Sequence, residues 1–221
     1  MSSVSNSEKI MSKSRLQNRV DPRGELHAAA EHGTLMGNRG ILHDADNKIV
    51  KQWQHKSWVA CVLNFPGPKR RLFSPNNYSE LFFLDEATSL SAGHRPCGFC
   101  QKPRFKLFKD VWYKANPSAD TGPSQTIGVV DKALHAERAV RGGGKVSYLA
   151  ILVDLPIGVM FESDGVIYLN WFSGHLPWSF KGYGLPVPIA PSASVKVLTP
   201  DSVVRMYTNG FKPEVHATAT V

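Results

Sequence analysis

Cysteine is scarce in this chain: three residues in 221, with none after Cys100. An odd number with one close pair makes no disulfide framework, so a reducing, cytoplasmic setting is the expectation. Long apolar runs are missing too. No stretch approaches the roughly 20 apolar residues of a membrane-spanning helix, which excludes that class. Residues 1–20 are rich in Ser, Asn, Lys and Arg and have no apolar stretch of the secretory kind, and they read as a disordered basic arm. No internal repeat is visible. The glycine-bearing stretch Met36-Gly37-Asn38-Arg39-Gly40 is not followed by Gly-Lys-Ser/Thr, so it is no P-loop and reads as a turn, with a backbone anion site as the alternative. Acidic residues are outnumbered, 18 Asp and Glu against 26 Lys and Arg, and the net charge of +8 favours a polyanionic partner such as nucleic acid.

Against this background the stretch from Leu81 to Cys100 organises the chain. A short apolar strand (Leu81, Phe82, Phe83, Leu84) leads into about two helical turns from Asp85 to Ala92. Asp85 and Glu86 suit the positive end of that helix, and Gly93 suits the left-handed position that ends it. Cys97 and Cys100 follow on a tight turn. With Cys61 upstream they predict a metal clip, because two thiolates two residues apart can share one tetrahedral ion. The set Cys61, Cys97 and Cys100 selects zinc in a reducing cell.

Phe82-Phe83, Glu86-Ala87, Ala92-Gly93 and Arg95-Pro96-Cys97 with Cys100 together resemble the second half of the zinc-binding domain of the Ada family of DNA alkylation-repair proteins. Trp58-Val59-Ala60-Cys61 extends the resemblance back to residue 58. It implies a zinc site and an association with DNA. That family holds zinc through four cysteines and carries a methyltransferase module with a Pro-Cys-His-Arg motif. Here Phe65 stands where the partner of Cys61 would be, and the module is absent. His94 and His55 are the candidates for a fourth ligand, His55 through a regular strand running on to Cys61.

The remaining motifs are read from periodicity and composition. Ile49 to Leu63 has strand character and ends at the turn Asn64-Phe65-Pro66-Gly67-Pro68, which precedes the basic triplet Lys69-Arg70-Arg71. That triplet, with Arg95, Lys102 and Arg104, supplies the candidate nucleic-acid contacts. Pro103 to Lys114 is an amphipathic helix with Phe105, Phe108, Val111 and Trp112 inward. A loop from Asn116 to Gln125 marks a boundary. A second helix, Ile127 to Val140, places Asp131, His135 and Arg138 along one face, either as a candidate catalytic or metal-completing set or as a surface ion-pair ladder. Beyond Lys145 the chain turns to strands, with Ser163-Asp164-Gly165 as a hairpin turn and a short helix over Val203 to Thr208. Trp171, Trp178, Phe180 and Tyr183 read as sheet fill, or alternatively as a base-stacking platform.

The expectation is an α+β protein: a disordered arm (1–20), a metal-clip region with short helices (21–115), and an antiparallel β-rich region with peripheral helices (126–221). Its leading function is that of a zinc-binding, nucleic-acid-associated protein with a mainly structural metal. The alternative is a metal-dependent hydrolase or nuclease using Asp131, His135 and Arg138 beside an open metal position. A thiol redox protein is a second alternative. It ranks last because its cysteine pair should follow a strand and open a helix, whereas Cys97 follows the expected Asp85 helix and Arg95-Pro96.

Overall fold

The computed structural model describes residues 15–66, 70–117 and 125–219. Most of the expected arm, Lys69 of the basic triplet and most of the 116–125 loop lie outside them. The expected arm does not extend to residue 20, since Arg19–Val20 forms strand β1, with Val20 fully buried. The fold is α+β, built on two six-stranded sheets.

The first sheet joins β1 with β2 (Leu26–His27), β3 (Leu35–Asn38), β4 (Val59–Val62), β5 (Leu81–Phe83) and β6 (Arg95–Pro96), in the order β2-β1-β5-β3-β4-β6. Its pairings are mixed, since β1 with β5 and β4 with β6 run parallel. The stretch read as a turn around Gly37 is therefore half strand. The Phe83 ring lies where a Cβ at Gly37 would sit, and so the strand carries a glycine there. The expected strand from Ile49 shortens to Val59–Val62, because the preceding segment forms bends that return the chain to Leu42 and Arg39.

The second sheet is antiparallel throughout, in the order β11-β10-β9-β8-β12-β7. Its strands are β7 (Tyr148–Ile151), β8 (Met160–Ser163), β9 (Val166–Trp171), β10 (Gly174–Ser179), β11 (Gly182–Tyr183) and β12 (Ser194–Val197). The β8–β9 hairpin turns at Asp164 and Gly165, both with positive φ, as a two-residue type I′ loop requires. Three helices form the main core with this sheet: α2 (Lys102–Ala115), α3 (Ile127–Arg138) and α4 (Asp201–Thr208). Phe108 and Trp112 of α2, Val130 and Leu134 of α3, and Val203 and Met206 of α4 pack there with Phe161, Val195 and Val197. Trp171 and Tyr183 are buried in a second cluster, and the Trp178 indole donates to the Thr88 hydroxyl (3.0 Å). These rings fill the fold.

The short helix α1 (Glu86–Ser91) joins the two sheets, with every residue buried. Asp85 caps it and accepts four hydrogen bonds: Thr88 N–H (2.8 Å), Thr88 O–H (2.7 Å), Tyr183 O–H (2.8 Å) and His216 N–H (2.9 Å). Glu86 takes Arg104 Nε (2.8 Å) and the Glu214 N–H (2.8 Å). At the far end, Gly93 adopts φ +84°, and the Gly93 and His94 amides return to Leu90 and Ser89 to close the helix. A Cβ at Gly93 would also collide with the Arg138 side chain, so this glycine serves the cap and the packing of α3 together. Asp85→Ala would strand the Tyr183 hydroxyl and the Thr88 and His216 amides in the interior. A destabilisation of about 3 kcal/mol is expected, read as a fall in the thermal midpoint of roughly 6–12 °C.

Candidate metal centre

Three elements of the first sheet's edge converge on one point. Cys61 sits on β4, Cys97 directly follows β6, and Cys100 lies on the turn into α2. The pairing of β4 with β6 sets the register: Arg95 N–H and Cys97 N–H donate to the carbonyls of Trp58 (3.2 Å) and Ala60 (2.9 Å). The turn is closed by Gln101 N–H on the Cys97 carbonyl (3.1 Å) and pinned by the Gln101 side chain on the Ala60 carbonyl (2.8 Å). The result brings the three sulfurs within 4.8 Å of one another, all half-buried. An ion with thiolate bonds of about 2.3 Å in tetrahedral geometry needs sulfurs roughly 3.8 Å apart, which this cluster can supply. The three thiols can hold a metal ion.

The thiols are unequal. Burial raises the Cys61 pKa, and the neighbouring Cys97 and Cys100 raise it further. Cys97 moves the other way: burial opposes ionisation, but the backbone amides of Cys100 and Phe99 and the two thiols outweigh it. The Phe99 N–H lies 3.4 Å from its sulfur. Burial also raises Cys100. Ionisation is thus favoured most at Cys97, and a bound ion would supply charge that favours ionising the other two.

Among the described residues, no fourth His, Cys, Asp or Glu joins this cluster. His94 is fully buried, with its Nε2 facing the Arg39 Nε at 3.1 Å and its ring packed on Phe83 and Trp58. Burial, then Arg39, Arg138 and Lys145, hold its pKa well below the usual value, so it is a neutral acceptor inside the sheet. His55 precedes β4 instead of lying on it, and its carbonyl accepts the Trp58 indole N–H. Neither reaches the thiols. Beside them a groove of about 850 Å³ is walled by Met36, Leu63, Phe65, Leu72, Tyr78 and Phe82. Phe99, between the two cysteines, is 70% exposed and meets Phe65 at 5.1 Å.

Three of the six expected nucleic-acid contacts, Arg70, Arg95 and Arg104, are engaged within the fold. Arg95 is buried and grips Asp131 with two parallel bonds (2.7 and 2.9 Å). Arg104 is paired with Glu86, and Arg70 pairs with Glu80 (2.7 Å) while stacking on Tyr78. Arg71 and Lys102 are exposed. The face carrying Asp131, His135 and Arg138 is neither a surface ladder nor a convergent set. Asp131 and Arg138 are buried, both Asp131 oxygens face Arg95, and Arg138 donates to the Gly93 and Lys56 carbonyls. His135 packs edge-on against Trp53 and Trp58. Burial, followed by the nearby Arg138 and Lys56, lowers its pKa. Sequence reasoning missed Gln101, whose position directly after Cys100 was the available signal, and Glu80, which anchors Arg70 at the groove. No family model, curated protein or solved structure matches the chain. No helix among the described residues is long and apolar enough to cross a membrane.

Proposed function

We propose that this is a zinc-binding, nucleic-acid-associated protein similar to the Ada metal domain, with a mainly structural metal held by Cys61, Cys97 and Cys100. The convergence of the three sulfurs carries the reading. An ion there would tie β4 to the turn that starts α2, with a fourth position that no His, Cys, Asp or Glu among the described residues fills. Thiolates in this number favour zinc over the harder divalent ions. Nucleic acid is supported by the net charge of +8, by exposed Arg71 and Lys102, and by Phe99 and Phe65, whose faces suit stacking against bases. A hydrolase built on Asp131, His135 and Arg138 lacks a comparable basis, since two of the three are committed to Arg95 and to backbone carbonyls.

Metal content of the purified protein, with absorption spectra after cobalt substitution, tests the metal reading. About one ion with sulfur-to-metal charge-transfer bands is expected, and a chain purified without metal and unresponsive to it would end this reading. For the partner, the variant in which Lys69, Arg71 and Lys102 all become Gln should flatten the salt dependence of DNA binding. A loss of about 0.9 in slope is expected for each phosphate contact removed. Arg70 is left intact because Glu80 already uses its charge.

A thiol redox protein is the second reading, and one observation favours it. Arg95–Pro96 is a strand and α2 begins at Lys102, so the cysteine pair does follow a strand and open a helix. Cys61 lying against both thiols argues for the ion. Quantitative thiol counting after mild oxidation separates them: a protected trio reports metal, and rapid loss of two thiols reports a redox pair.

A further inference from the structure

A second site lies away from the cysteines, where buried positive charge collects without matching negative charge. Arg39 is 1% exposed and Arg138 3% exposed, and their guanidinium carbons stand 4.2 and 4.1 Å from the centre of the same Trp58 ring. Lys145 turns its ammonium inward onto the Ser91 carbonyl (2.6 Å). Arg39 bonds to the Gly24 carbonyl and to His94, but its Nη2 has no partner although it is wholly buried, and the same is true of Arg138 Nε. Gly24, whose carbonyl Arg39 Nη1 holds, and Ala92 are walls of a cavity of about 360 Å³. Arg39, Arg138, Trp53, Val140 and the Gly142–Gly144 run line it as well.

Of the nearby carboxylates, Glu25 also lines the cavity but is exposed to solvent, and the other two already have partners. Asp21 receives the Glu25 N–H (2.9 Å), His27 (3.2 Å) and, at 3.6 Å, Arg23. Asp131 is occupied by Arg95. Burial pulls the Arg39 pKa down to about 9, against Asp21, and burial followed by Arg39 pulls Arg138 to about 9. Burial, then the two arginines, brings Lys145 to about 7. Arginine does not surrender its proton in a protein, so these shifts measure an electrostatic cost that a bound anion would relieve. The cavity falls in the size range of small-molecule sites, and glycines along one wall let a ligand approach the backbone closely.

We infer that this cavity binds a phosphomonoester or free phosphate dianion, gripped by Arg39 and Arg138 against Trp58, with Lys145 adding charge behind them. Guanidinium forks match phosphate oxygens two at a time, and both arginines line the cavity. The site is independent of the metal centre and of the DNA reading.

Inorganic phosphate and AMP, each titrated against sodium chloride of equal ionic strength, test it through tryptophan fluorescence and the thermal midpoint. A saturable response to one or both is expected, with none from chloride. Equal affinities identify free phosphate as the ligand, and a tenfold preference for AMP identifies a phosphomonoester. Arg39→Met should weaken binding at least tenfold. Should that variant fail to fold, Val140→Glu serves instead: Val140 is 45% exposed at the cavity wall, and the new carboxylate would take the anion's place. No saturable response to either probe overturns the assignment, as does a response undiminished in Val140→Glu. Binding of a 5′-phosphorylated oligonucleotide with neither small probe bound overturns it too.

Discussion

Cys97→Ser is expected to release the metal and lower the thermal midpoint by roughly 8–16 °C. Cys97 is the thiol whose ionisation the fold already favours, through the amides of Phe99 and Cys100. Losing it leaves two sulfurs whose charged forms burial opposes. An ion bound about 1,000-fold above its dissociation constant contributes about 4 kcal/mol to stability, and a chain of this size loses roughly 2–4 °C per kcal/mol. The affected part is the edge of the first sheet, where β4, β6 and the start of α2 would lose their common tie. The main core formed by α2, α3, α4 and the second sheet does not depend on the ion, so a folded protein with a weakened edge is the outcome, not an unfolded chain. Acidification should act like the substitution, because each bound thiolate must take up a proton as the ion leaves. Metal analysis alongside calorimetry of the wild type, the variant and a chelated sample checks this. Equal stability in all three would show that the ion is absent or idle.

How far the sequence led follows the range of the interactions concerned. The α2 stripe of Phe108 and Trp112, the acidic pair Asp85-Glu86 at a helix entrance, the glycine at 93 and the Asp164-Gly165 hairpin are local signals with short periods, and each element stands where its pattern placed it. The cysteine cluster was legible because two thiols share one turn and a third stood alone upstream. What escaped were pairings that cross the chain. Arg95 and Asp131 are 36 residues apart and Arg39 and His94 are 55 apart, and no local pattern links them. Hence Arg95, Arg104 and Arg70 looked like free positive charge, while the fold spends each on a carboxylate. The helical face of Asp131, His135 and Arg138 was correctly aligned along α3. Its meaning depended on what it meets, and it meets the loop at Gly93, the Trp58 ring and the Arg95 side chain.

That buried pair sets the other large effect. Asp131→Ala is expected to cost about 3–5 kcal/mol, because it leaves the Arg95 guanidinium charged, inside the protein and without its partner. The side chains are 7% and 5% exposed, so water cannot replace the missing carboxylate without opening the contact between α3 and β6. Cys97 lies two residues beyond Arg95, and the same opening would loosen the β6 register that places it beside Cys61. The substitution should therefore weaken metal retention as well as stability, although Asp131 is no ligand. Arg95→Met combined with Asp131→Leu removes both charges and fills the space with apolar atoms. Because the mutual attraction of a buried pair barely offsets its desolvation, this double variant should recover most of the lost stability. Thermal midpoints and metal content of the single and double variants decide the point. A single variant as stable as the wild type would mean that the pair is open to solvent. A double variant no better than the single one would mean that the guanidinium matters for its contacts with the Pro96 carbonyl and the Phe105 ring more than for its charge.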